Sequence, residues 1–289
     1  MIAFFLRENI GIGIQCGFIS FYMYGIGRKF KRYFGTPSFS RQTRELGRIR
    51  NSPKGKSGYT NILNKPFKFH DGGSFATTFV EIFESKIYQF NPSETSRTIL
   101  DCGANMGLSV VFFALNYPHH TIIAFEPDPE IFEILKENVK SFGLKNVVLH
   151  QKAVWVKNET LKFYTDGGMG GRIDQEYAEQ KPREIEAVPL LDYLSPDVDF
   201  LKIDIEGAED KVLKYCGQHL RNANNIFFEY HNNVSSKQTL HELLALVEEH
   251  GFHYYIKESY TRKSPFVDTE LICESFDMAI NVFCYKNNH

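Results

Sequence analysis

The sequence lacks the features that mark disulfide-rich, zinc-binding and strongly charged proteins. Its 289 residues include five cysteines, which are scattered and form no C-x-x-C pair. This spacing argues against a disulfide framework or a zinc site and favours a reducing compartment such as the cytoplasm. The formal net charge of −2 gives no general attraction to nucleic acid or to an anionic membrane, so we expect no nucleic-acid partner.

Length and composition favour one large globular domain with an N-terminal extension. The chain is 43% hydrophobic, and we expect an extension and linker over residues 1–62 and a single domain over 63–289. Residues 9–27 carry no charge, and a basic run follows them at residues 28–32. Two interpretations stay open, packing against the domain or peripheral membrane contact through residues 9–32. Residues 36–62, rich in Ser, Arg and Gly, predict a mobile connection.

From residue 98 onward, strand and helix patterns alternate. Strands are predicted at 99–101, 121–126, 146–150, 199–206 and 225–231, with a helix after most of them, and two further strands follow near the C-terminus. Asp128 is expected to cap a helix that Gly143 ends, and another helix is expected to begin at Ser235 or Ser236. The fold class is therefore α/β, a doubly wound, mostly parallel seven-stranded sheet with an antiparallel C-terminal edge.

The clearest ligand-binding pattern is the segment ILDCGANMG, residues 99–107, a buried strand followed by a glycine-rich turn. Its spacing, G-x-N-x-G, differs from the dinucleotide pattern G-x-G-x-x-G, and Leu108 occupies the third-glycine position. Asn105 is compatible with such a turn because asparagine adopts left-handed backbone angles more readily than most residues. Glu126 ends the next strand, where an acid is expected to bind the hydroxyls of a ribose.

The acid Asp101 helps to decide which ribose-bearing ligand binds. A carboxylate before the turn would repel a pyrophosphate, whereas it suits a cation such as the ammonium of an amino acid. S-adenosylmethionine carries an adenosine ribose and an ammonium and has no phosphate, so it fits this site better than NAD does.

The motifs ILDCGANMG, AFEPDPE and LKIDIEGAE resemble the FkbM-type family of S-adenosylmethionine-dependent methyltransferases. The resemblance covers about residues 75–285 and implies a class I methyltransferase (Rossmann-like) fold and O-methylation of a sugar, glycan or polyketide-like natural product. The turn, the acid and the resemblance together give these expected cofactor-binding residues: Asp101, Gly103, Ala104, Asn105, Gly107, Glu126, Pro127, Ala153 and Asp204.

Ionisable residues at the ends of the fourth and fifth strands are the candidates for catalysis. Strand alternation puts Lys202 and Asp204 on one face, and Glu229 and His231 likewise share a face. With Glu206, these residues are expected to meet at one edge of the sheet. We expect Asp204 or His231 to be the base that removes the acceptor proton, with the other residues orienting the acceptor.

Other interpretations of these residues stay open. Lys202 could form a structural ion pair with Asp204 or Glu229, and Glu206 could cap a helix. The carboxylates could also hold Mg²⁺, which we consider less fitting because Lys202 already supplies positive charge. The glycine-rich loop at 166–172 is expected to border the acceptor. For the whole protein, the alternatives are an NAD(P)-dependent oxidoreductase and a methyltransferase-like domain that binds without catalysis. The sequence does not indicate the acceptor molecule or the oligomeric state.

Overall fold

The computed structural model describes residues 37–165, 171–173, 182–269, 271 and 276–286. The chain divides into two compact units, Met1–Gly47 and Arg48–His289. Of the first unit, only residues 37–47 are described, and they are helical. The uncharged segment 9–27 and the basic run after it lie outside the described residues. No described helix combines the length and the apolar character needed to cross a membrane.

The second unit alternates strands and helices. The helices are α1 (Pro37–Arg50, which crosses the boundary between the units), α2 (Gly72–Phe79, continued by a π-helical turn Val80–Glu84), α3 (Leu108–Asn116), α4 (Pro129–Phe142), α5 (Glu209–Cys216) and α6 (Leu240–Glu249). The strands are β1 (Gly58–Thr60), β2 (Phe67–Phe69), β3 (Thr98–Cys102), β4 (Thr121–Phe125), β5 (Val147–His150), β6 (Ala153–Trp155), β7 (Glu159–Thr165), β8 (Gly171–Ile173), β9 (Arg183–Pro189), β10 (Val198–Ile203), β11 (Asn225–Asn233), β12 (His253–Tyr260) and β13 (Phe276–Tyr285).

The main sheet has seven strands in the order β12-β13-β11-β10-β3-β4-β5. Neighbouring strands from β11 to β5 are parallel, whereas β13 runs antiparallel to both β11 and β12. The predicted seven-stranded, mostly parallel sheet is therefore confirmed. The antiparallel strand lies one place inside the edge, because β13 inserts between β11 and β12.

A second sheet of four strands, in the order β6-β9-β7-β8, forms from the segment between β5 and β10. The sequence indicates β character for this segment, and the structure confirms it. Its buried residues join the core under one face of the main sheet, together with residues of α5 and α6. This core includes Phe125 and Ile203, so the second sheet packs near the carboxyl ends of β4 and β10.

The opposite face of the main sheet is packed with aromatic rings. Tyr88 contacts Phe113 of α3, Phe200 of β10 and Phe227 of β11, with ring centroids 4.9–6.3 Å apart. Lys202 shares this face, since it stands directly beside Phe227 in the parallel register. This face therefore carries both the aromatic core and the charged side chains that form the candidate site at its carboxyl end.

Local signals predicted some boundaries and missed others. Asp128 caps α4 through hydrogen bonds from the N–H groups of Glu130 and Ile131, and Gly143 ends that helix with φ of 65°, as predicted. The helix expected to begin at Ser235 or Ser236 begins at Leu240 instead, and its N-cap residue Thr239 makes no side-chain capping hydrogen bond.

In place of the mobile connection predicted for residues 36–62, the structure has α1 and the hairpin β1–β2. Apolar residues spaced three apart, Leu46 and Ile49, are buried along α1, so helical periodicity prevailed over the polar composition. The hairpin belongs to the second unit, whose boundary lies at Arg48, before the predicted boundary at residue 63.

Candidate active site

A cavity of about 380 Å³ opens at the carboxyl ends of β3, β4, β10 and β11. Small-molecule sites have volumes of about 300–1,000 Å³. All the predicted site residues except Asp101 and Gly107 line it. They are Gly103, Ala104, Asn105, Glu126, Pro127, Ala153, Lys202, Asp204, Glu206, Glu229 and His231. The fold thus brings both halves of the predicted site to one cavity.

The turn between β3 and α3 holds three residues in the left-handed region. Gly103, Asn105 and Gly107 have φ of 84°, 48° and 92°, which confirms the left-handed geometry expected of Asn105. A Cβ on Gly103 would lie 1.9 Å from the carbonyl oxygen of Asp204, and one on Gly107 would lie 2.6 Å from Leu135 Cδ1. The turn therefore needs glycine both for its conformation and for close contact with β10 and α4.

Glu126 links this turn to the start of α4. Its carboxylate accepts hydrogen bonds from the backbone N–H groups of Asn105 and Asp128, each at 2.9 Å. Burial raises the pKa of Glu126 to about 7, although these two hydrogen bonds oppose the shift. A carboxylate has about four acceptor positions, so acceptor capacity is left for the hydroxyl pair of a ribose.

Asp101 is fully buried and does not line the cavity. Its Oδ2 accepts a hydrogen bond from Ser109 Oγ at 2.6 Å, and its Oδ1 lies 3.3 Å from Lys202 Nζ. The cation next to Asp101 in this structure is thus Lys202, and direct contact with a cofactor ammonium stays a prediction.

Lys202 connects the two halves of the site. Its ammonium donates to the carbonyl of Gly103 at 2.8 Å and lies 3.5 Å from Asp204 Oδ2. Burial by itself would lower the pKa of Lys202, but the charges of Asp101 and Asp204 outweigh burial and raise that pKa above its usual range. The structural ion pair with Asp204 considered from the sequence is therefore present, and Lys202 is charged.

At the other end of the cavity, His231 lies between carboxylates. Its Nδ1 is 3.2 Å from Glu209 Oε1, and its Nε2 is 3.7 Å from Glu206 Oε2. Burial opposes the charged imidazole, but Glu209 and Glu206 raise the pKa of His231 well above its usual value. These carboxylates therefore favour the charged form of the ring, which has a proton on each nitrogen and no acceptor site.

Two carboxylates near His231 are unusually basic. Burial raises the pKa of Glu206 to about 8 and that of Glu229 to about 7, and the negative charge of Asp204 adds to both shifts. Glu206 also adopts φ of 57°, a conformation that costs a non-glycine residue about 1–2 kcal/mol. Such strain is often found at functional sites.

Within the described part of the chain, one group of ligand atoms is compact enough for a metal ion. Atoms of Asp204, Glu209 and His231 all lie within 4.8 Å of one another. However, the Glu209 carboxylate already accepts hydrogen bonds from the N–H groups of Ile205 and Gly207 and pairs with His231. The geometry therefore favours a network that fixes the turn after β10 over a metal site.

The residues present fit S-adenosylmethionine. Beside Glu126, the wall of the cavity offers apolar side chains suited to an adenine ring, namely Met106, Phe125, Ile131, Val154 and Phe163. Toward β11 the wall becomes acidic, which suits a ligand carrying a sulfonium and an ammonium.

Three residues of the site were not predicted from the sequence. Glu209 belongs to a quoted motif, but its role shows only when the turn after β10 folds back on it. Asn281 interrupts the apolar strand β13 and faces Glu229 in register, a signal visible only once the strands are paired. Glu81 lines the cavity from the π-helical turn. Of the loop expected to border the acceptor, residues 166–170 lie outside the described residues, and Gly171–Ile173 forms β8.

Comparisons with known proteins show the family to which this chain is similar. A model of the methyltransferase FkbM domain matches residues 101–254. Methyltransferase 1 of Beauveria bassiana is 28% identical over 199 residues, covering 60% of this chain and 78% of that protein. Methyltransferase sdnD of Sordaria araneosa is 27% identical over 211 residues, covering 60% and 80%. The crystal structure of methyltransferase FkbM from Methylobacillus flagellatus superposes with a TM-score of 0.43 at 15% identity, covering 69% of this chain and 46% of that one.

Proposed function

The chain belongs to the FkbM family of S-adenosylmethionine-dependent methyltransferases, and from this premise we propose that it methylates a hydroxyl group of a sugar or glycan. The observation that carries the proposal is the acceptor end of the cavity, where Asp204, Glu206 and Glu229 surround His231. Carboxylates accept hydrogen bonds, so they suit a substrate rich in hydroxyl donors. An apolar acceptor would instead cover these groups without offering a hydrogen bond to the oxygens that face the cavity, which is costly.

The cofactor occupies the other end of the cavity in this proposal. When bound, S-adenosylmethionine supplies a methyl group from its sulfonium sulfur and becomes the neutral thioether S-adenosylhomocysteine. Glu126 would accept hydrogen bonds from the ribose hydroxyls. Lys202 holds the glycine turn against β10 through Gly103, so the pocket wall is in place before the cofactor enters.

Glu229 is our proposed general base. It lines the cavity, and its pKa of about 7 is close to the value at which a base is most effective at neutral pH. As the methyl group of the bound cofactor passes from sulfur to the acceptor oxygen, the Glu229 carboxylate would take up the hydroxyl proton.

This assignment differs from the expectation that Asp204 or His231 is the base. Glu209 and Glu206 favour the charged form of His231, so we assign it the role of orienting the carboxylates around it. Asp204 is ion-paired with Lys202, and we assign it the role of accepting a hydrogen bond from the acceptor.

The test is methyl transfer from labelled S-adenosylmethionine to a panel of neutral sugars and glycosides. Glu229→Gln is expected to lower kcat by about 10²–10⁴-fold, the usual contribution of a general base, while cofactor affinity measured by calorimetry stays unchanged. Glu133→Gln is the matched control, because Glu133 lies on the exposed side of α4 with a side chain 67% exposed.

Three results would contradict the proposal. Cofactor binding without transfer to any sugar would instead support the non-catalytic alternative. Transfer that prefers an amine or a carboxylate over a hydroxyl would overturn the acceptor class. Full activity of Glu229→Gln would overturn the assignment of the base.

A further inference from the structure

Asn281 lies in the wall of the cavity, and among the described residues its amide oxygen has no hydrogen-bond donor. Asn281 lies on β13 and is 3% exposed. Its Oδ1 is buried and meets no donor among the described residues. More than nine in ten buried polar groups are hydrogen-bonded. An amide whose oxygen is left unpaired beside a ligand cavity therefore indicates that a ligand group binds it.

The position of Asn281 in the sheet indicates whether this ligand group belongs to the cofactor or to the acceptor. The register places Asn281 directly opposite Glu229, and Ala279 opposite His231. Directly opposite residues on one sheet face have Cβ atoms about 4.5–5.5 Å apart, so the amide and the proposed base face the same part of the cavity. In the sheet, β11 and β10 separate β13 from β3 and its glycine turn. Asn281 therefore lies on the acceptor side.

The chemistry of the amide indicates what kind of ligand group it binds. A primary amide is neutral and offers both donors and an acceptor, and a hydroxyl likewise both donates and accepts. Carboxylates in their ionised form accept only, so they do not distinguish a hydroxyl from an ammonium group. An amide among them adds recognition of a neutral group that needs both functions.

We propose that Asn281 binds a second hydroxyl of the acceptor, on the carbon next to the hydroxyl that is methylated, so that the enzyme requires a vicinal diol. This rests on the proposed sugar O-methylation and deepens it. The hydroxyl opposite Glu229 is the one that reacts, and the hydroxyl held by Asn281 fixes the position of its neighbour. Asn281 is thus a specificity-determining residue for the acceptor.

The experiment compares two substitutions, Asn281→Thr and Asn281→Val, whose new side chains are nearly isosteric with each other. Both residues suit a β-strand, but only threonine has a group, its hydroxyl, that can both donate and accept a hydrogen bond as the amide of asparagine does. With labelled S-adenosylmethionine, kcat/KM is measured for a methyl glycoside that the wild-type enzyme methylates and for the analogues that each lack one hydroxyl. Asn158→Leu, at an exposed position outside the cavity, is the control and is expected to behave as wild type.

The wild-type enzyme is expected to prefer the diol over the analogue lacking the neighbouring hydroxyl by roughly 10- to 100-fold, the loss typical of one buried hydrogen bond. Asn281→Val should lose this preference by lowering kcat/KM for the diol alone, and Asn281→Thr should keep part of it. Affinity for S-adenosylmethionine should stay unchanged in both variants.

The outcomes separate this inference from the proposed function. If the wild-type enzyme transfers label to no sugar, the proposed function and the diol requirement are both wrong. If it methylates sugars but Asn281→Val keeps the wild-type preference, only the role of Asn281 is overturned. A loss of cofactor affinity in Asn281→Val would also overturn it, because the amide would then act on the cofactor side.

Discussion

Replacing Gly103 with alanine tests whether the glycine turn must stay in close contact with β10. The added Cβ would stand 1.9 Å from the carbonyl oxygen of Asp204, so the turn or β10 must shift by about 1 Å or more before the contact becomes ordinary. Gly103 also has φ of 84°, which costs alanine about 1–2 kcal/mol. Overpacking of this kind adds about 1–3 kcal/mol, giving an expected loss of roughly 2–5 kcal/mol.

Gly143→Ala is the matched control for this prediction. Gly143 has φ of 65°, and a Cβ there meets no atom within 4 Å, so alanine should cost only about 1–2 kcal/mol through its conformation. The free energies of unfolding are measured in urea by circular dichroism, and cofactor affinity is measured by calorimetry. Gly103→Ala should also weaken S-adenosylmethionine binding, whereas Gly143→Ala should not. Equal destabilisation of the two variants with equal cofactor affinity would refute the reasoning.

Further predictions concern the charged groups. Lys202→Met should lower the free energy of unfolding by about 3–5 kcal/mol, because it leaves Asp101 buried without its counter-charge. The double variant with Asp101→Asn should recover part of that loss in the same urea titration, and no recovery would contradict the pairing. Glu126→Ala should raise the dissociation constant of S-adenosylmethionine by roughly 10- to 100-fold, the value of a hydrogen bond to a charged group; unchanged affinity in calorimetry would exclude the ribose contact. Because the base must be deprotonated and the pKa of Glu229 is about 7, kcat should fall as pH drops below about 7, and a flat wild-type profile from pH 6 to 8 would count against this base. EDTA should leave kcat unchanged, since Glu209 already binds His231 and two backbone N–H groups; a loss restored by Mg²⁺ would show that a metal acts here.

The cofactor half of the site was predictable because its signals are local. A strand, a turn with left-handed residues and an acid at the end of the next strand are neighbours in sequence. Their mutual positions follow from the rule that ligands bind at the carboxyl ends of parallel strands. The positions of Gly103, Asn105 and Glu126 could therefore be predicted from the sequence.

The acceptor half was only partly predictable because its contacts join distant segments. Strand alternation placed Lys202 on the same face as Asp204, and Glu229 on the same face as His231. It gave no information on how deeply these side chains are buried or which charges lie near them. The Asp101–Lys202 contact depends on the pairing of β3 with β10, and the state of His231 depends on how Glu209 folds back toward it. Asn281 could be assigned only after β13 was paired with β11.

The position of β13 has a consequence for how the molecule folds during synthesis. Residues 276–285 follow β12 in sequence, yet in the sheet they lie between β11 and β12. On the ribosome, β12 therefore has no neighbouring strand until β13 has emerged, whereas β3, β4 and β5 can already pair. The half of the sheet that carries the glycine turn and Glu126 can assemble early, whereas the half that carries Glu229 is completed only when β13 is added.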